Sequence, residues 1–181
     1  NNIAYSIVTK AENKNFIIVN CNSNDNRGKT FSRALTQELN QRSMHSKSLL
    51  LEDNDAAYKN ALDPTQENFI LLDDSSVRSL SIMMARIKDF RQKYPTYNLS
   101  LIGYTEWLNE TEKHLDNFFV ANTYIASPYY YNVLDEKNKE FQRTYEKNFQ
   151  SYMTPGNPRY AALGFDLGMY FLSGLNKFGD T

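Results

Sequence analysis

The chain has 181 residues, of which 41% are hydrophobic and 23% are charged. This usage is ordinary for a globular domain and argues against a disordered, fibrous or membrane-embedded chain. The 20 basic and 21 acidic side chains give a formal net charge of -1, so the chain lacks the basic excess that non-specific nucleic-acid binding requires.

Cysteine and histidine content limits the metal and redox chemistry that we expect. One cysteine cannot form an intrachain disulfide or a cysteine-rich zinc site, and His45 and His114 are far apart in the sequence. We therefore expect no metal and no cofactor.

The start of the chain and its apolar runs bear on targeting. Residues 1–10 lack the basic and apolar regions of a signal peptide, and no apolar run reaches the length of a membrane span. The chain also lacks an initiating methionine. We expect a segment of a longer protein, whose targeting sequence would lie upstream.

The first part of the chain alternates short apolar runs with helical patterns. The runs at 16–21, 48–51 and 68–72 predict three buried strands. Apolar and small residues at helical spacing predict a helix from Gly28 to Gln41, and a short helix or turn is expected from Ala56 to Leu62.

The next elements continue the alternation. Ser75 or Ser76 is expected to cap a helix whose apolar face runs from Val77 to Phe90 and which ends before Pro95. A fourth strand is predicted from Asn98 to Gly103. We then expect a loop with one helical turn from Glu106 to His114 and a fifth strand from Phe118 to Ile125.

The composition changes after Pro128. Two long helices are predicted, from Asp135 to Tyr152 and from Tyr160 to Phe178, separated by the breaker at 154–158. The first helix carries a stripe of aromatic residues, for which buried core is the favoured interpretation and a dimer seam or an exposed patch is the alternative. The stripe consists of Phe141, Tyr145, Phe149 and Tyr152.

Strands that alternate with helices predict an α/β fold. We expect a three-layer sandwich with a mostly parallel five-stranded sheet, helices on both faces and right-handed crossovers, followed by two C-terminal helices. The predicted domains are an α/β lobe over residues 1–131 and a helical extension over residues 132–181. The extension would pack on that lobe or on a lobe outside the chain.

Residues 23–30 resemble a P-loop, except that Ser23 stands where the first glycine would be. An apolar strand ends at Asp73, and an acidic residue in that position holds magnesium in nucleotide enzymes. A phosphate cradle needs that first glycine, however, and Asp25 adds negative charge where phosphates would lie. A polar strand-to-helix loop is the favoured interpretation, and a nucleotide-binding enzyme remains an alternative.

Two further catalytic hypotheses are not favoured. Cys21 lies at the end of a strand as a nucleophile could, but no suitable base accompanies it, and a lone cysteine on an apolar strand is usually packed. Asp73 and Asp74 are adjacent and would point in opposite directions, so a strand-end turn with a helix cap is favoured over an acid pair. We expect no enzymatic activity.

The strand ends supply the candidate binding residues. Ligands of open α/β sheets bind outside the carboxyl ends of the strands, and those ends carry amides, hydroxyls, carboxylates and aromatic rings here. Tyr104 is expected to form a stacking wall. The predicted ligand contacts are Asn22, Ser23, Asn24, Asp74, Ser75, Tyr104, Thr105, Glu106 and Tyr129, with Tyr130 as the alternative to Tyr129.

Three segments carry a resemblance to a known family. The segment from Asn15 to Leu35 contains a strand, a polar loop, Gly28 and a helix, and it resembles the opening of the C-terminal lobe in type I periplasmic binding proteins of the branched-chain amino acid receptor kind. The later motifs at 101–107 and 158–168 are similar to that family too. In the second of these, the positions that match are Tyr160, Ala161, Ala162, Phe165 and Asp166.

The resemblance implies a Rossmann-like lobe and a non-catalytic role. It implies a domain of a bacterial cell-envelope or periplasmic protein that binds or senses a small polar solute by closing two lobes, with the N-terminal lobe expected upstream. The alternative is a ligand-free interaction or regulatory module that holds an envelope protein or peptidoglycan, since some related domains are attached to LysM modules. A polar cleft would favour the first role, and a filled cleft beside an exposed aromatic patch would favour the second.

Overall fold

A computed structural model describes residues 2–9, 13–129 and 131–179 of the chain, apart from the side chains of Asn2 and Glu112. The elements in chain order are α1 (Asn2–Thr9), β1 (Asn15–Asn20), α2 (Asn26–Gln41), β2 (Ser46–Leu50), α3 (Asp55–Ala61), β3 (Glu67–Leu72), α4 (Val77–Lys93), β4 (Asn98–Gly103), a 3-10 helix (Thr105–Glu110), α5 (Thr111–Val120), β5 (Thr123–Ile125), α6 (Glu136–Phe149) and α7 (Tyr160–Phe178).

The chain forms two compact units, residues 1–126 and 127–181. We call the first the sheet unit, since it holds α1 to β5, and the second the helical unit, since it holds α6 and α7. The sequence placed the boundary after residue 131.

The sheet is parallel throughout, with strand order β2-β1-β3-β4-β5. The predicted α/β fold with a five-stranded, mostly parallel sheet is confirmed. The first connection runs from β1 outward to β2, and the later ones run the opposite way along the sheet. The strand order therefore reverses between β1 and β3, and this reversal defines the position at which doubly wound sheets bind ligands.

Helices flank the sheet on both faces. Because crossovers are right-handed, the reversal puts α2 on one face and α3, α4 and α5 on the other. α1 packs on α2, and α4 contacts α5. α4 also contacts α3 through an ion pair, in which Lys93 Nζ lies 2.8 Å from Asp55 Oδ2.

The α4 helix shows how the sequence pattern becomes core. Its side chains at positions 80, 83, 84, 87 and 90 share one face of a helix with 3.6 residues per turn, and all five are buried. The Ser76 hydroxyl caps the helix by accepting a hydrogen bond from the Ser79 N–H at 3.3 Å. Val77, which the sequence assigned to the same face, is 42% exposed because it lies at the first helical position.

The region before β5 differs from the sequence prediction. The expected strand over 118–125 is wrong in its first half, because residues 118–120 form the last turn of α5 and only Thr123–Ile125 pair with β4. Phe118 is 9% exposed and Phe119 is 75% exposed, as expected of a helix with one buried face. The expected loop at 106–114 is also wrong, since the 3-10 helix and α5 occupy it. A short apolar run alone does not distinguish a strand from a helix end.

The helical unit has a different character. The Asp135 carboxylate caps α6 by accepting hydrogen bonds from the N–H groups of Lys137 at 3.0 Å and Asn138 at 3.2 Å. α6 meets α7 where the rings of Phe141 and Phe165 lie 5.0 Å apart.

The apolar side chains of α6 and α7 are poorly covered. No residue of α6 or α7, both of which lie wholly within the described ranges, is buried. The expectation that the aromatic stripe is core is therefore wrong for Phe149 and Tyr152, which are 66% and 86% exposed. Among the described residues, no helix combines the length and the apolar character needed to cross a bilayer.

Candidate functional site

The loops that follow β1, β3 and β4 are joined at the carboxyl edge of the sheet. Asp25 Oδ2, after β1, accepts hydrogen bonds from the backbone N–H and the hydroxyl of Ser75, after β3, both at 2.7 Å. Trp107 Nε1, after β4, donates to the Ser75 carbonyl oxygen at 2.7 Å. Ser75, one of the predicted ligand contacts, is therefore the link between three loops.

Asp25 also occupies the N-terminus of α2. Its Oδ1 accepts a hydrogen bond from the Arg27 N–H at 2.9 Å. Burial raises the pKa of this carboxyl, but the hydrogen bonds from Ser75 and from the backbone N–H groups of Arg27 and Gly28 outweigh it, so the pKa is lowered. An ionised side chain of the protein thus fills the place where a helix N-terminus would hold a phosphate, which weighs against the nucleotide hypothesis.

The two buried carboxylates at the end of β3 point in different directions. Asp73 Oδ1 accepts a hydrogen bond from the Cys21 N–H at 2.7 Å and so joins β3 to β1. Asp74 Oδ2 accepts hydrogen bonds from the hydroxyls of Ser76 at 2.8 Å and Ser79 at 2.6 Å, at the start of α4. Asp74, a predicted ligand contact, is 5% exposed and acts as part of a helix cap.

Close packing explains why Gly28 stands in the P-loop-like segment. A Cβ atom on Gly28 would lie 2.3 Å from the Asp73 carbonyl oxygen and 2.6 Å from the Asp74 nitrogen. The first turn of α2 therefore rests directly on the backbone at the end of β3. The glycine serves close helix-to-strand packing at this edge.

Cys21 is not placed to act as a nucleophile. Burial raises the pKa of its thiol to about 12, and the nearby Asp73 and Asp74 carboxylates act in the same direction, whereas a hydrogen bond with Ser79 lowers the value. The thiol therefore stays protonated at neutral pH, and the thiolate is the form that attacks.

Tyr104 lies below the surface. It is 6% exposed, its hydroxyl donates a hydrogen bond to the Leu72 carbonyl oxygen, and its ring meets the edges of Phe31 and Trp107 at centroid distances of 5.8 and 5.3 Å. Burial, followed by the nearby carboxylates, raises the pKa of its hydroxyl. The ring is therefore mostly part of the core under the site and meets the recess described next with only a small exposed area, so the stacking wall stays a prediction.

A recess of about 240 Å³ lies above Tyr104. The apolar side chains of Ile3, Ile7 and Phe31 line it, together with the predicted contacts Tyr104, Thr105 and Glu106. The exposed Arg27–Glu106 ion pair also lines it, with side chains that are 66% and 40% exposed. The Thr105 hydroxyl is occupied by a hydrogen bond to the Ala126 carbonyl oxygen at 3.1 Å.

The loop after β1 presents two open amides. Asn22 and Asn24 are exposed, and neither side chain makes a hydrogen bond within the described residues. Asn22 has a φ of 50°, a left-handed conformation that asparagine tolerates better than most residues. Ser23 lies between them, and its hydroxyl accepts a hydrogen bond from the Asp25 N–H at 3.2 Å.

The remaining predicted contact belongs to the other unit. Tyr129 lies in the helical unit and is 41% exposed, whereas Tyr130 is outside the described residues. The structure thus brings together the predicted contacts from the ends of β1, β3 and β4.

Sequence reasoning missed several residues of the recess. Ile3 and Ile7 come from α1, which was not predicted, and they recur four residues apart as on one helix face. Phe31 was assigned to the helix but not to the site. Arg27 could have been suspected from its position in the first turn of α2, next to the polar strand end.

Within the described residues, no three His, Cys, Asp or Glu side chains are grouped so that they could hold a metal ion. Comparisons with protein-family models, curated proteins and solved structures found no match.

Proposed function

We propose that the chain is a non-catalytic lobe of a periplasmic-binding-protein-like domain that binds or senses a small polar solute in the bacterial cell envelope. The observation that carries the proposal is the composition of the carboxyl edge. There the exposed Arg27–Glu106 ion pair lines the recess of about 240 Å³, and the open amides of Asn22 and Asn24 lie in the loop between β1 and α2 that leads to Arg27. Such a site offers a polar molecule hydrogen-bond donors and acceptors, together with one positive and one negative side chain.

The internal hydrogen bonds of the edge support binding without catalysis. Asp25 and Asp73 accept hydrogen bonds from neighbouring loops, and Asp74 accepts them from the start of α4, so all three carboxylates are used to fix the loop positions. A scaffold fixed in this way loses little conformational entropy when a ligand binds. Cys21, the single cysteine of the chain, keeps its thiol protonated at neutral pH, so it does not supply a thiolate nucleophile to this edge.

The recess is partly open to solvent, so one lobe alone would hold a small solute weakly. Closure of a second lobe over the edge would exclude water and strengthen the hydrogen bonds to the amides. We therefore expect the site to act as one wall of a cleft.

A thermal-shift screen of the native protein that contains the chain tests this proposal. Amino acids, sugars, peptidoglycan fragments and nucleotides are added in turn, because a ligand that binds only the folded state raises the Tm. We expect a saturable rise with a polar solute that Asn22→Ala or Asn24→Ala weakens at least fivefold in apparent affinity. Asn60→Ala, which removes an exposed amide from α3 instead, is the matched control.

Two results would contradict solute binding at this edge. One is the absence of a shift with every class of compound. The other is a shift that Asn22→Ala, Asn24→Ala and Arg27→Ala all leave unchanged.

An interaction module is the second candidate function. The observation in its favour is the exposed apolar surface of α7, where Phe171, Leu172 and Phe178 are 65%, 62% and 72% exposed. This candidate predicts that Phe171→Ser abolishes binding of an envelope protein or peptidoglycan while Asn22→Ala does not. Co-sedimentation with purified peptidoglycan and affinity measurements with envelope proteins distinguish the two.

A further inference from the structure

The α7 helix has one polar face and a wide apolar surface. With about 100° between successive residues, Asp166, Ser173 and Lys177 fall on one side of the helix. The rest of the surface is largely apolar, and every residue from 164 to 178 except Gly174 is exposed. Phe165, which contacts α6, lies at the margin of this surface. The centre of the apolar surface is therefore left without a partner among the described residues of the helical unit.

A regular seam runs along that centre. Its six residues follow one another at intervals of three and four, which is the spacing of the core positions in a coiled coil. The three at the N-terminal end are small, and a Cβ atom on either glycine would meet no heavy atom within 4 Å. The three at the C-terminal end are large and exposed by 65%, 54% and 72%. In order, the seam residues are Ala161, Gly164, Gly168, Phe171, Leu175 and Phe178.

This arrangement is complementary to itself when two copies run antiparallel. Phe178 of one helix would then lie opposite Ala161 of the other, Leu175 opposite Gly164, and Phe171 opposite Gly168. Every layer pairs a large side chain with a small one. A parallel pair would instead place large against large at one end and leave a gap at the other, which costs packing energy at both ends.

The exposed apolar area of α7 approaches what a standard interface buries. Six large apolar residues lie on or beside the seam, and they are between 51% and 76% exposed. Three are aromatic and three are leucines; at 150–250 Å² for a fully exposed aromatic side chain, and the lower end of that range for leucine, they present roughly 700 Å² per copy. A standard protein interface buries about 800 Å² per partner. These residues are Tyr160, Leu167, Phe171, Leu172, Leu175 and Phe178.

We propose that two copies of the chain associate through α7 as an antiparallel, two-fold symmetric pair. The contact is isologous, so the same seam serves both copies and the assembly closes at two. The inference does not depend on the solute-binding proposal, since it uses only residues of α7.

The first test measures the dimer dissociation constant of the chain by sedimentation velocity. Gly168→Leu is expected to raise it at least tenfold, because the introduced leucine side chain would clash with Phe171 of the other copy. Ser173→Leu adds the same side chain to the opposite face and is expected to change it less than twofold. A non-specific apolar contact predicts the reverse for Gly168→Leu, because that change adds apolar surface and favours the helix.

Exchanging the large and small residues at positions 168 and 171 tests the Gly168–Phe171 layer directly. Gly168→Phe alone is expected to weaken the dimer, and Gly168→Phe combined with Phe171→Ala is expected to restore it to within about threefold. The double variant places the introduced phenylalanine of each copy opposite the introduced alanine of the other and so recovers the pairing of large with small. Circular dichroism checks that each variant keeps its helix content, and recovery in the double variant shows that position 168 tolerates a large residue.

Disulfide trapping tests the orientation in a Cys21→Ser background. An equal mixture of Ala161→Cys and Phe178→Cys chains is expected to cross-link, and neither variant should cross-link with itself. In an antiparallel pair, like positions at these ends are about 25 Å apart at 1.5 Å per residue, beyond the reach of a disulfide. We expect a dimer dissociation constant of about 1 μM. The proposal is overturned if the chain is still monomeric at about 100 μM, if Gly168→Leu leaves the dimer intact, or if each variant cross-links with itself.

Discussion

The helices α4 and α7 have similar lengths, 17 and 19 residues, and both carry apolar residues at helical spacing. In α4 six residues are buried, and in α7 none is. The sheet supplies the surface that covers α4, whereas α6 is the one other helix that the described part of the helical unit offers to α7. An apolar helix face thus indicates that a partner exists, but the sequence alone does not show whether that partner is the same unit, another unit or another copy.

The largest difference is expected for one substitution made in both helices. Leu80→Ala, at a side chain that is fully buried, should lower the free energy of unfolding of the sheet unit by about 3 kcal/mol, through lost burial and a cavity. Leu175→Ala, at a side chain that is 54% exposed, should change it by less than about 0.5 kcal/mol. Urea unfolding followed by Trp107 fluorescence reports on the sheet unit. Equal losses for the two variants would contradict the comparison.

Glycine substitutions should show the same contrast with a smaller effect. Gly28→Ala places a Cβ atom 2.3 Å from the Asp73 carbonyl oxygen, so α2 or the end of β3 must move, at an expected cost of about 2 kcal/mol. Gly174→Ala meets no heavy atom within 4 Å and should stabilise α7 by up to about 1 kcal/mol through its helix propensity. Calorimetric Tm values measure both changes. A neutral Gly28→Ala would show that α2 does not rest on β3.

The smallest effect on stability is expected from the Glu67 carboxylate, which lies at the start of β3 at the amino end of the sheet. Burial raises the pKa of Glu67. The hydrogen bonds from Lys14 and Ser100, together with the Lys14 charge, lower it by more than burial raises it, so the pKa is lowered overall. The folded pKa thus lies below the unfolded value of about 4.3. The resulting stabilisation is present above that value and is lost as the pH falls through the folded pKa.

Glu67→Gln should therefore lower the unfolding free energy by about 1 kcal/mol at pH 7, and the difference should shrink as the pH falls below the unfolded value of about 4.3 and through the folded pKa. Urea titrations of both proteins across this range provide the measurement. Glu52→Gln, which removes an exposed charge from the same unit, is the control. A difference that stays constant with pH would show that the side chain acts by packing alone.

The sequence predicted element bounds best where burial of a short apolar run alone decides the structure. The strands β1, β3 and β4 were predicted to within one residue at each end, because their apolar runs are bounded by polar turns. The end of α5 was mistaken for strand because Phe118, Phe119 and Val120 suit either element. α1 was not predicted, although Ala4 and Val8 recur four residues apart and are both fully buried.

The site was less predictable than the fold. The strand order brought the expected polar residues to one edge, but a sequence does not show which polar groups bond to one another. Asp74 caps α4 and Ser75 links neighbouring loops, whereas the side chains of Asn22 and Asn24 remain open. Tyr104 was placed at the correct strand end, yet its hydroxyl reaches Leu72 beneath the surface.

The central claim is that the sheet unit is stabilised by its own core, whereas α7 depends on a second copy. Native-state hydrogen exchange of the whole chain at two concentrations, one below and one above the dimer dissociation constant, tests it most directly. We predict that amides of β1, β3 and α4 exchange equally slowly at both concentrations, and that protection of α7 amides rises with concentration. Protection of α7 that already equals that of β3 in the dilute, monomeric chain would contradict the claim.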